Sequence, residues 1–552
     1  MSDKLSRADY ARFEQLAATF DADVNLICSG DRRWVAQFSL EYAILLLRSG
    51  SDSDRAQAIA IIEAVLATQL HAPAWDRGRF PMSLPETWRD LNATLFMAPH
   101  LVKIYTHWLP QLPPDLSMRF QKAILEAIEA VDRRWADEVF DVHRDFTAYS
   151  NIFVLYIQAL LLFGRCLDDE RLQRDGEAQW QRWFNHVSTY GIDEFCSPTY
   201  NEVVYEGLLG ILGAATSTQM QREARLVLDY LFVLQHAVSH PLLHMGVVGT
   251  ARDYRQFVQP GAGGFRFIAS PGDATYSPPA AILEEFRHRE FPYHAEGRAG
   301  LVPFRFQTWQ LPDAAMGSMT GGHYFPQQIH LMIAAGTSPV ARACAFFQAD
   351  ERNPINGYVC QHENRALCLF ARTPTSYRLN QLRESARELP LPGTLPPCLG
   401  LTEDWTVRRH EPGRLTVAAQ GYSLDLQTFT MDGERMEPVA LISEPLEING
   451  RQVIGWRAAA DVVWFACLVE LFPDGGQPAE ATVSGQVGDR FVELRESGGL
   501  TIRLARRPSG ELVELYDKDW RTLPLFDSRV CSIEAGDMAV TAVEPTANSL
   551  VR

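Results

Sequence analysis

The sequence lacks both a long hydrophobic run and the features of a secretion signal. Its most apolar stretch, Ile152–Phe163, is too short to span a bilayer, which takes about 20 residues of helix. The first residues, MSDKLSRADYARFEQL, are polar and charged, without the basic region and apolar core of a signal peptide. We therefore expect a cytoplasmic protein that does not interact with membranes.

Cysteine is sparse and shows no pairing pattern. The nine cysteines are scattered without a C-x-x-C pair, which predicts reduced, buried thiols rather than a disulfide framework. His236, His240 and His244 recur every four residues, and on one helix they would share a face that could hold a metal. Pro241 interrupts that run, so we expect no metal site.

Basic residues are outnumbered by acidic ones, and the formal net charge is -17. Binding to nucleic acid normally needs a clustered basic face, so we expect no nucleic-acid partner. An anionic small substrate stays compatible, because a pocket can be locally basic on an acidic protein. The sequence has no P-loop, no G-x-G-x-x-G before a helix and no G-x-S-x-G elbow, so we expect neither a nucleotide cofactor nor a serine hydrolase.

The first half of the chain is rich in helical periodicity. Ile124, Ile128, Val131 and Trp135 recur at helical spacing, and Asn151–Gly164 is apolar almost all round. A helix of the second kind is normally buried on every side. An inner ring of buried helices inside an outer amphipathic ring would explain the contrast, and this is the plan of an (α/α) toroid or incomplete barrel.

The composition and periodicity of the sequence change between about residues 254 and 301. Gly, Pro and Ser accumulate there, a short helical segment follows, and the helical period then largely vanishes. Strand patterns appear at Arg490–Arg495, Leu500–Leu504, Val462–Phe472 and Ala539–Val543. We therefore predict an α+β multidomain protein, with a helical toroid at residues 1–295 and an antiparallel β-sandwich at 296–552.

Polar and aromatic residues are densest in Gly191–Gly207, GIDEFCSPTYNEVVYEG. Ser197 can cap a helix that follows, which would place Tyr200, Asn201 and Tyr205 on its first turns. The same pattern also suits a plain capped helix start with exposed polar side chains. We keep Tyr200 as a candidate catalytic residue and Asn201 and Tyr205 as candidate substrate-binding residues.

Further candidate residues lie in four short segments. Asn151 opens the apolar helix, where it either caps the helix or points into a central cavity. His323 lies in a Gly-rich loop, where packing gives little reason for a histidine. The remaining candidates are polar residues beside helix starts or loop breaks: Arg89, Asn92, His143, Arg144, Arg252 and Tyr254.

Three of these elements together resemble a known superfamily. Asn151, Ser197-Pro198-Thr199-Tyr200 and His323 follow the order and rough spacing of the heparinase II/III-type polysaccharide lyases and their alginate lyase-like relatives. The resemblance covers much of the chain in architecture but only a few short motifs in residues. In that family the tyrosine is often followed by His, whereas Asn201 follows Tyr200 here, which leaves the substrate open.

The resemblance implies β-elimination beside a uronic acid. Asn151, helped by Arg252 or His143, would neutralise the sugar carboxylate and hold the enolate-like intermediate. Either Tyr200 or His323 would take the C5 proton, and Tyr200 would protonate the leaving oxygen. The implied partner is an acidic carbohydrate or other small molecule, no cofactor is required, and oligomeric state stays open.

Three other functions fit the same sequence. A glycoside hydrolase on a helical toroid would need two carboxylates, for which Asp193, Glu194, Glu202 and Glu206 are candidates. A non-carbohydrate small molecule could undergo elimination or isomerisation in the same pocket. A protein with this architecture could also bind carbohydrate without turning it over.

Overall fold

A helical N-terminal part is followed by antiparallel sheets, which confirms the α+β prediction at that level. The structure is a computed structural model. It describes residues 7–29, 32–86, 90, 92–136, 150–197, 199–250, 276–300, 304–321, 329–336, 342–347, 356–371, 398–402, 405–433, 435–448, 451–459, 464–488, 490–506 and 512–514.

The helices lie mainly in the first half of the chain. One short helix, α10, falls in the segment before the sheets, as predicted. In chain order the helices are α1 Arg7–Ala17, α2 Leu40–Ser49, α3 Asp52–Leu66, α4 Ala93–Trp108, α5 Pro114–Ala136, α6 Ser150–Leu167, α7 Glu170–Tyr190, α8 Tyr200–Ala214, α9 Thr218–Val238 and α10 Ala280–Arg287.

Helix α5 is amphipathic, as its periodicity predicts. Its apolar residues at spacings of three and four are buried, among them Phe120, Ile124 and Val131. Helix α6 is apolar almost all round and is buried along most of its length. The helix extends beyond the apolar stretch Ile152–Phe163, and among the described helices it alone is long and apolar enough to cross a membrane, but 78% of it is buried inside the protein.

Glycines let the neighbouring helices approach α6 closely. A Cβ at Gly176 of α7 would lie 2.8 Å from Leu161 Cδ2, and one at Gly207 of α8 would lie 2.5 Å from Val154 Cγ1. Such contacts leave no room for a side chain at these two glycines. Helices α7 and α8 therefore pack directly against side chains of α6, Leu161 and Val154 among them.

Short strands are mixed into the helical part, and longer strands form the C-terminal part. Their bounds are β1 Phe20–Asp21, β2 Leu26–Ser29, β3 Arg32–Trp34, β4 Ser83–Leu84, β5 Ser239–His240, β6 Met245–Gly246, β7 Tyr293–Ala299, β8 Phe304–Leu311, β9 Ala314–Gly321, β10 Ile329–Ala335, β11 Arg342–Phe347, β12 Asn356–His362, β13 Arg365–Ala371, β14 Cys398–Leu401, β15 Thr406–Glu411, β16 Arg414–Ala419, β17 Tyr422–Asp432, β18 Arg435–Pro438, β19 Leu441–Ile448, β20 Arg451–Ala458, β21 Trp464–Pro473, β22 Val483–Val487, β23 Phe491–Glu496, β24 Thr501–Arg506 and β25 Leu512–Glu514.

The C-terminal strands form three antiparallel sheets. The largest has eight strands in the order β19-β20-β14-β11-β10-β9-β8-β7. The second has the order β12-β13-β21-β17-β16-β15, with β18 paired to β17, and the third has the order β22-β23-β24-β25. The strands predicted around residues 462–472, 490–495 and 500–504 correspond to β21, β23 and β24, whereas Ala539–Val543 lies outside the described residues.

The two larger sheets contribute to one hydrophobic cluster. The cluster contains Trp309 and Leu331 of the eight-stranded sheet together with Ala366 and Cys368 of the second sheet. The opposite face of the second sheet, including Leu367, packs with the third sheet. Strands β13 and β21 of the second sheet are therefore buried on both faces, which explains why they are nearly continuous apolar runs.

One edge of the second sheet is exposed. All six residues of β15 are exposed, and the strand carries Arg408, Arg409 and His410. Its pairing with β16 is irregular between Val407 and Arg409, which is a bulge.

The described contacts divide the chain into two compact units. The first contains residues 1–147, 151–183 and 206–224, and the second contains residues 148–150, 184–205 and 225–552. The second unit thus combines the start of α8 and most of α9 with the C-terminal sheets. The predicted boundary at residue 295 follows secondary structure and stays a prediction.

Candidate functional site

Within the second unit, a tightly held segment leads into α8. Gly191 has φ 79°, and a Cβ there would lie 2.6 Å from Tyr230 Oη on α9. Phe195 packs against Phe306 of β8, with ring centroids 4.6 Å apart. The segment is therefore fixed against both a helix and a strand before α8 begins.

The first turn of α8 carries the predicted catalytic tyrosine. The helix begins at Tyr200, whose backbone N–H donates to Ser197 Oγ at 3.4 Å. The N–H of Asn201 donates to the carbonyl oxygen of Ser197 at 3.0 Å. Ser197 thus caps the helix as predicted, and Tyr200 is half-buried at its start.

Asn201 lies beside Tyr200 but is deeply buried. It is 2% exposed, and neither atom of its side-chain amide has a hydrogen-bond partner within the described ranges. Tyr205 is half-buried one turn further along and packs edge-on to Phe232 and Tyr276, with centroids 6.2 Å and 6.5 Å away. Three predicted site residues therefore share the first turns of one helix.

A buried carboxyl group lies next to this aromatic cluster. Tyr276 donates a 2.6 Å hydrogen bond to Asp229 Oδ1, and Asp229 is 9% exposed. Burial raises the pKa of Asp229 to about 7, although the bond from Tyr276 and the charge of Arg225 act in the opposite direction. Burial also raises the pKa of Tyr276, as does its contact with Asp229. Asp229 therefore changes charge near neutral pH.

The sequence analysis missed this aspartate and its tyrosine. Asp229 sits on a helix face in α9, where a single carboxyl among apolar residues gives no local signal. Tyr276 lies 47 positions away in sequence, beyond a Gly- and Pro-rich stretch. Only the tertiary contact between the two identifies the pair.

Two carboxyl groups of the same segment are buried elsewhere. Asp193 is 1% exposed and lies 2.6 Å from Nε2 of the buried His186. Glu194 is 0% exposed. Of the four carboxylates considered for a hydrolase, these two are therefore enclosed in the fold, whereas Glu202 and Glu206 lie on α8 with greater exposure.

A buried arginine fastens the end of α9 to the first strands of the eight-stranded sheet. The side chain of Arg289 is 0% exposed and donates to the carbonyl oxygens of Ser239 at 2.5 Å and His236 at 2.8 Å. It also lies over the ring of Tyr293, 3.8 Å from the centroid. Burial alone would raise the pKa of Glu285, but hydrogen bonds and charge from His236 and Arg289 lower it to about 2.

The three regularly spaced histidines do not share a helix face. His240 lies in β5, beyond the end of α9, and both of its ring nitrogens are occupied. Nδ1 accepts from the N–H groups of Leu242 and Leu243 at 3.1 Å, and Nε2 donates to the carbonyl oxygen of Leu311 at 2.6 Å. Burial lowers the pKa of His240 to about 4. No group of three potential metal ligands occurs in the part of the chain that the structure describes.

Two predicted residues belong to the first unit. Asn151 lies in the first turn of α6 and is 0% exposed. Asn92 directly precedes α4, is 6% exposed, and has its N–H bonded to Asp90 Oδ1 at 2.8 Å. Six predicted residues lie outside the described residues: Arg89, His143, Arg144, Arg252, Tyr254 and His323.

Comparisons with known proteins give one partial family match. A domain of unknown function (DUF8769) matches residues 11–249, less than half of the chain. A search of the curated proteins found no match.

Several solved structures are similar to most of the chain. A heparinase III is 9% identical, with 93% of this chain and 91% of that chain covered and a TM-score of 0.41. A chondroitin AC lyase of Streptomyces coelicolor A3 is 10% identical, with 91% and 90% covered and a TM-score of 0.40. Another heparinase III is 8% identical, with 93% and 91% covered and a TM-score of 0.35. At such low identities and TM-scores, function has to be argued from this chain's own residues.

Proposed function

We propose that the protein is a carbohydrate-active lyase that cleaves a uronic-acid-containing oligo- or polysaccharide by β-elimination. The observation that carries the proposal is the start of α8, where the half-buried Tyr200 stands on a capped turn. A phenol fixed in this way can transfer a proton to or from a bound substrate. Tyr200 would protonate the leaving oxygen, and either Tyr200 or His323 would take the C5 proton.

The sugar carboxylate has to be neutralised before C5 can lose its proton. Asn151, buried in the first turn of α6, would do this through its amide, helped by Arg252 or His143. Further contacts to the substrate would come from the other predicted binding residues: Arg89, Asn92, Arg144, Asn201, Tyr205 and Tyr254. These roles rest on the residue types and on the resemblance described above.

The fold we propose is a helical toroid followed by a β-sandwich, with the domain boundary at residue 295. Its support is the burial of α6 between α7 and α8, and the single hydrophobic cluster shared by the two larger sheets. In the cytoplasm, where we place the protein, the natural substrate would be a short imported oligosaccharide rather than a long polymer.

The test is ultraviolet absorbance of the unsaturated product during incubation with a panel of uronic-acid oligosaccharides. We expect a rise with the wild type and a loss of about 10²–10⁴-fold in rate for Tyr200→Phe. Tyr190→Phe removes a half-buried hydroxyl at the end of α7 and should keep the wild-type rate.

The glycoside hydrolase alternative predicts a different product. New reducing ends without ultraviolet absorbance would contradict the lyase and favour a carboxylate pair. Asp193 is already bonded to His186 at 2.6 Å, so Glu202 and Glu206, which are more exposed on α8, would be the better candidates for such a pair.

A further inference from the structure

Asn201 has a buried side-chain amide that the described part of the protein leaves unpaired. The residue is 2% exposed, and its Nδ2 and Oδ1 have no hydrogen-bond partner in the described ranges. A buried donor or acceptor without a partner forfeits its hydration, at a net cost in folding stability. An apolar side chain of similar shape would avoid that cost, so packing alone does not account for an amide at this position.

The position of this amide connects it to the proposed site. Asn201 lies in the first turn of α8, a helix of 15 residues, directly after the candidate acid–base residue Tyr200. Its neighbours on both sides, Tyr200 and Glu202, are half-buried rather than enclosed. The capping bonds from Ser197 use backbone groups of this turn and leave the Asn201 amide for another partner.

The chemistry of an amide restricts what that partner can be. Nδ2 donates and Oδ1 accepts, so both are satisfied only by a ligand that accepts at one point and donates at another. Two neighbouring hydroxyl groups of a sugar do this. An ionised carboxylate or a sulfate ester only accepts, so it would leave Oδ1 unpaired beside a negative charge.

We propose that Asn201 is a specificity-determining residue that binds two adjacent free hydroxyl groups of the sugar at the cleavage site. This inference rests on the proposed carbohydrate function and narrows it to substrates that are unsulfated at that position. The amide then has no partner among the described residues because its partner arrives with the substrate.

The experiment measures melting temperature with and without an unsulfated uronic-acid tetrasaccharide, in the Tyr200→Phe background so that no turnover occurs. Asn201→Leu should raise the melting temperature of the free protein, because it removes an unpaired buried amide. It should also weaken tetrasaccharide binding, measured by titration calorimetry, by roughly 5- to 150-fold. The tetrasaccharide sulfated on the uronate 2-hydroxyl should bind the Tyr200→Phe parent more weakly than the unsulfated one.

Gln158→Leu is the matched control. Gln158 is another buried amide, 5% exposed on α6, and its Oε1 has no partner within the described part of the chain. Its replacement should leave tetrasaccharide binding unchanged. Binding that survives Asn201→Leu, a lower melting temperature for the free Asn201→Leu protein, or equal binding of the sulfated sugar would each overturn the role of Asn201 alone. No binding of either tetrasaccharide by the parent would overturn the carbohydrate function as well.

Discussion

Asp229 carries a buried carboxyl group whose pKa burial raises to about 7 from an ordinary 3.8. In the unfolded chain this group would lose its proton near pH 4, whereas in the folded protein it loses it near pH 7. The stability that the neutral form contributes is therefore present in full below about pH 4 and is lost as the pH rises through 7. At alkaline pH the wild type is therefore destabilised by a buried charge that Asn at the same position would not carry.

We therefore expect Asp229→Asn to be more stable than the wild type at pH 8, by roughly 1–4 kcal/mol. The difference in unfolding free energy should shrink as the pH is lowered towards 4, because Asp229 is then neutral, as Asn is. Asn also keeps an acceptor for the Tyr276 hydroxyl. Urea denaturation across this pH range measures it. A pH-independent difference for Asp229→Asn would contradict the raised pKa.

The sequence locates individual site residues only where a local pattern marks them. The Ser197 cap follows from short-range rules for helix starts, and the structure confirms it, with α8 beginning at Tyr200. The pairing of Asp229 with Tyr276, and the complete burial of Asn201, depend on contacts distant in sequence. Those features needed the folded chain.

Replacement by alanine should have opposite effects on stability at two glycines of α8. A Cβ at Gly207 would lie 2.5 Å from Val154 Cγ1 of α6, whereas one at Gly213 would meet nothing within 4 Å. We expect Gly207→Ala to destabilise the protein by about 1–3 kcal/mol through overpacking. Gly213→Ala should stabilise it by roughly 0.5–1 kcal/mol, because alanine favours the helix.

Chemical denaturation of the two variants checks this pair. Equal effects of both substitutions would mean that α8 does not pack against α6 at Gly207. Both changes add one methyl group to the same helix, so the comparison isolates the contact from helix propensity.

Secondary structure elements with a strong period were predictable, and short ones were not. Helices α5 and α6 and strands β21, β23 and β24 carry clear apolar patterns over many residues. Strands β1 to β6 contain two to four residues each and exist only because a partner strand lies beside them. A local pattern cannot specify such pairs.

An ion pair links the second and third C-terminal sheets. Arg365 of β13 lies 2.6 Å from Glu496 at the end of β23, whose side chain is 0% exposed. Burial raises the pKa of Glu496, but the N–H of Gly498 and the Arg365 guanidinium lower it below its ordinary value. Arg365→Met would leave a buried carboxylate without its cation, so we expect a loss of about 3–5 kcal/mol in unfolding free energy.

Arg503→Met provides the comparison within the third sheet. Arg503 is 40% exposed and pairs with Glu493 at 2.9 Å, and such surface pairs contribute about 0–1 kcal/mol. Denaturant titration of both variants should therefore separate them clearly. Similar small losses in both would show that Glu496 is stabilised by backbone N–H groups alone.

At the scale of the whole molecule, the change from helical to strand periodicity predicts a helical part followed by sheets. It does not predict strand order, because β13 pairs with β21 across nearly a hundred residues. Nor does it predict that residues 184–205 belong with the C-terminal sheets in one compact unit. Both depend on long-range contacts, which leave no periodic trace in the sequence.

The exposed strand β15 has a consequence for how the protein behaves in a crowded solution. An open sheet edge offers unpaired backbone groups to any other extended chain, which is the first step of fibril growth. Here that edge carries Arg408, Arg409 and His410 and is distorted by a bulge next to Val407. A second chain would have to bring its strand against long charged side chains, here paired with Asp474 and Glu411, and against an irregular backbone, so the edge is protected against aggregation without being covered.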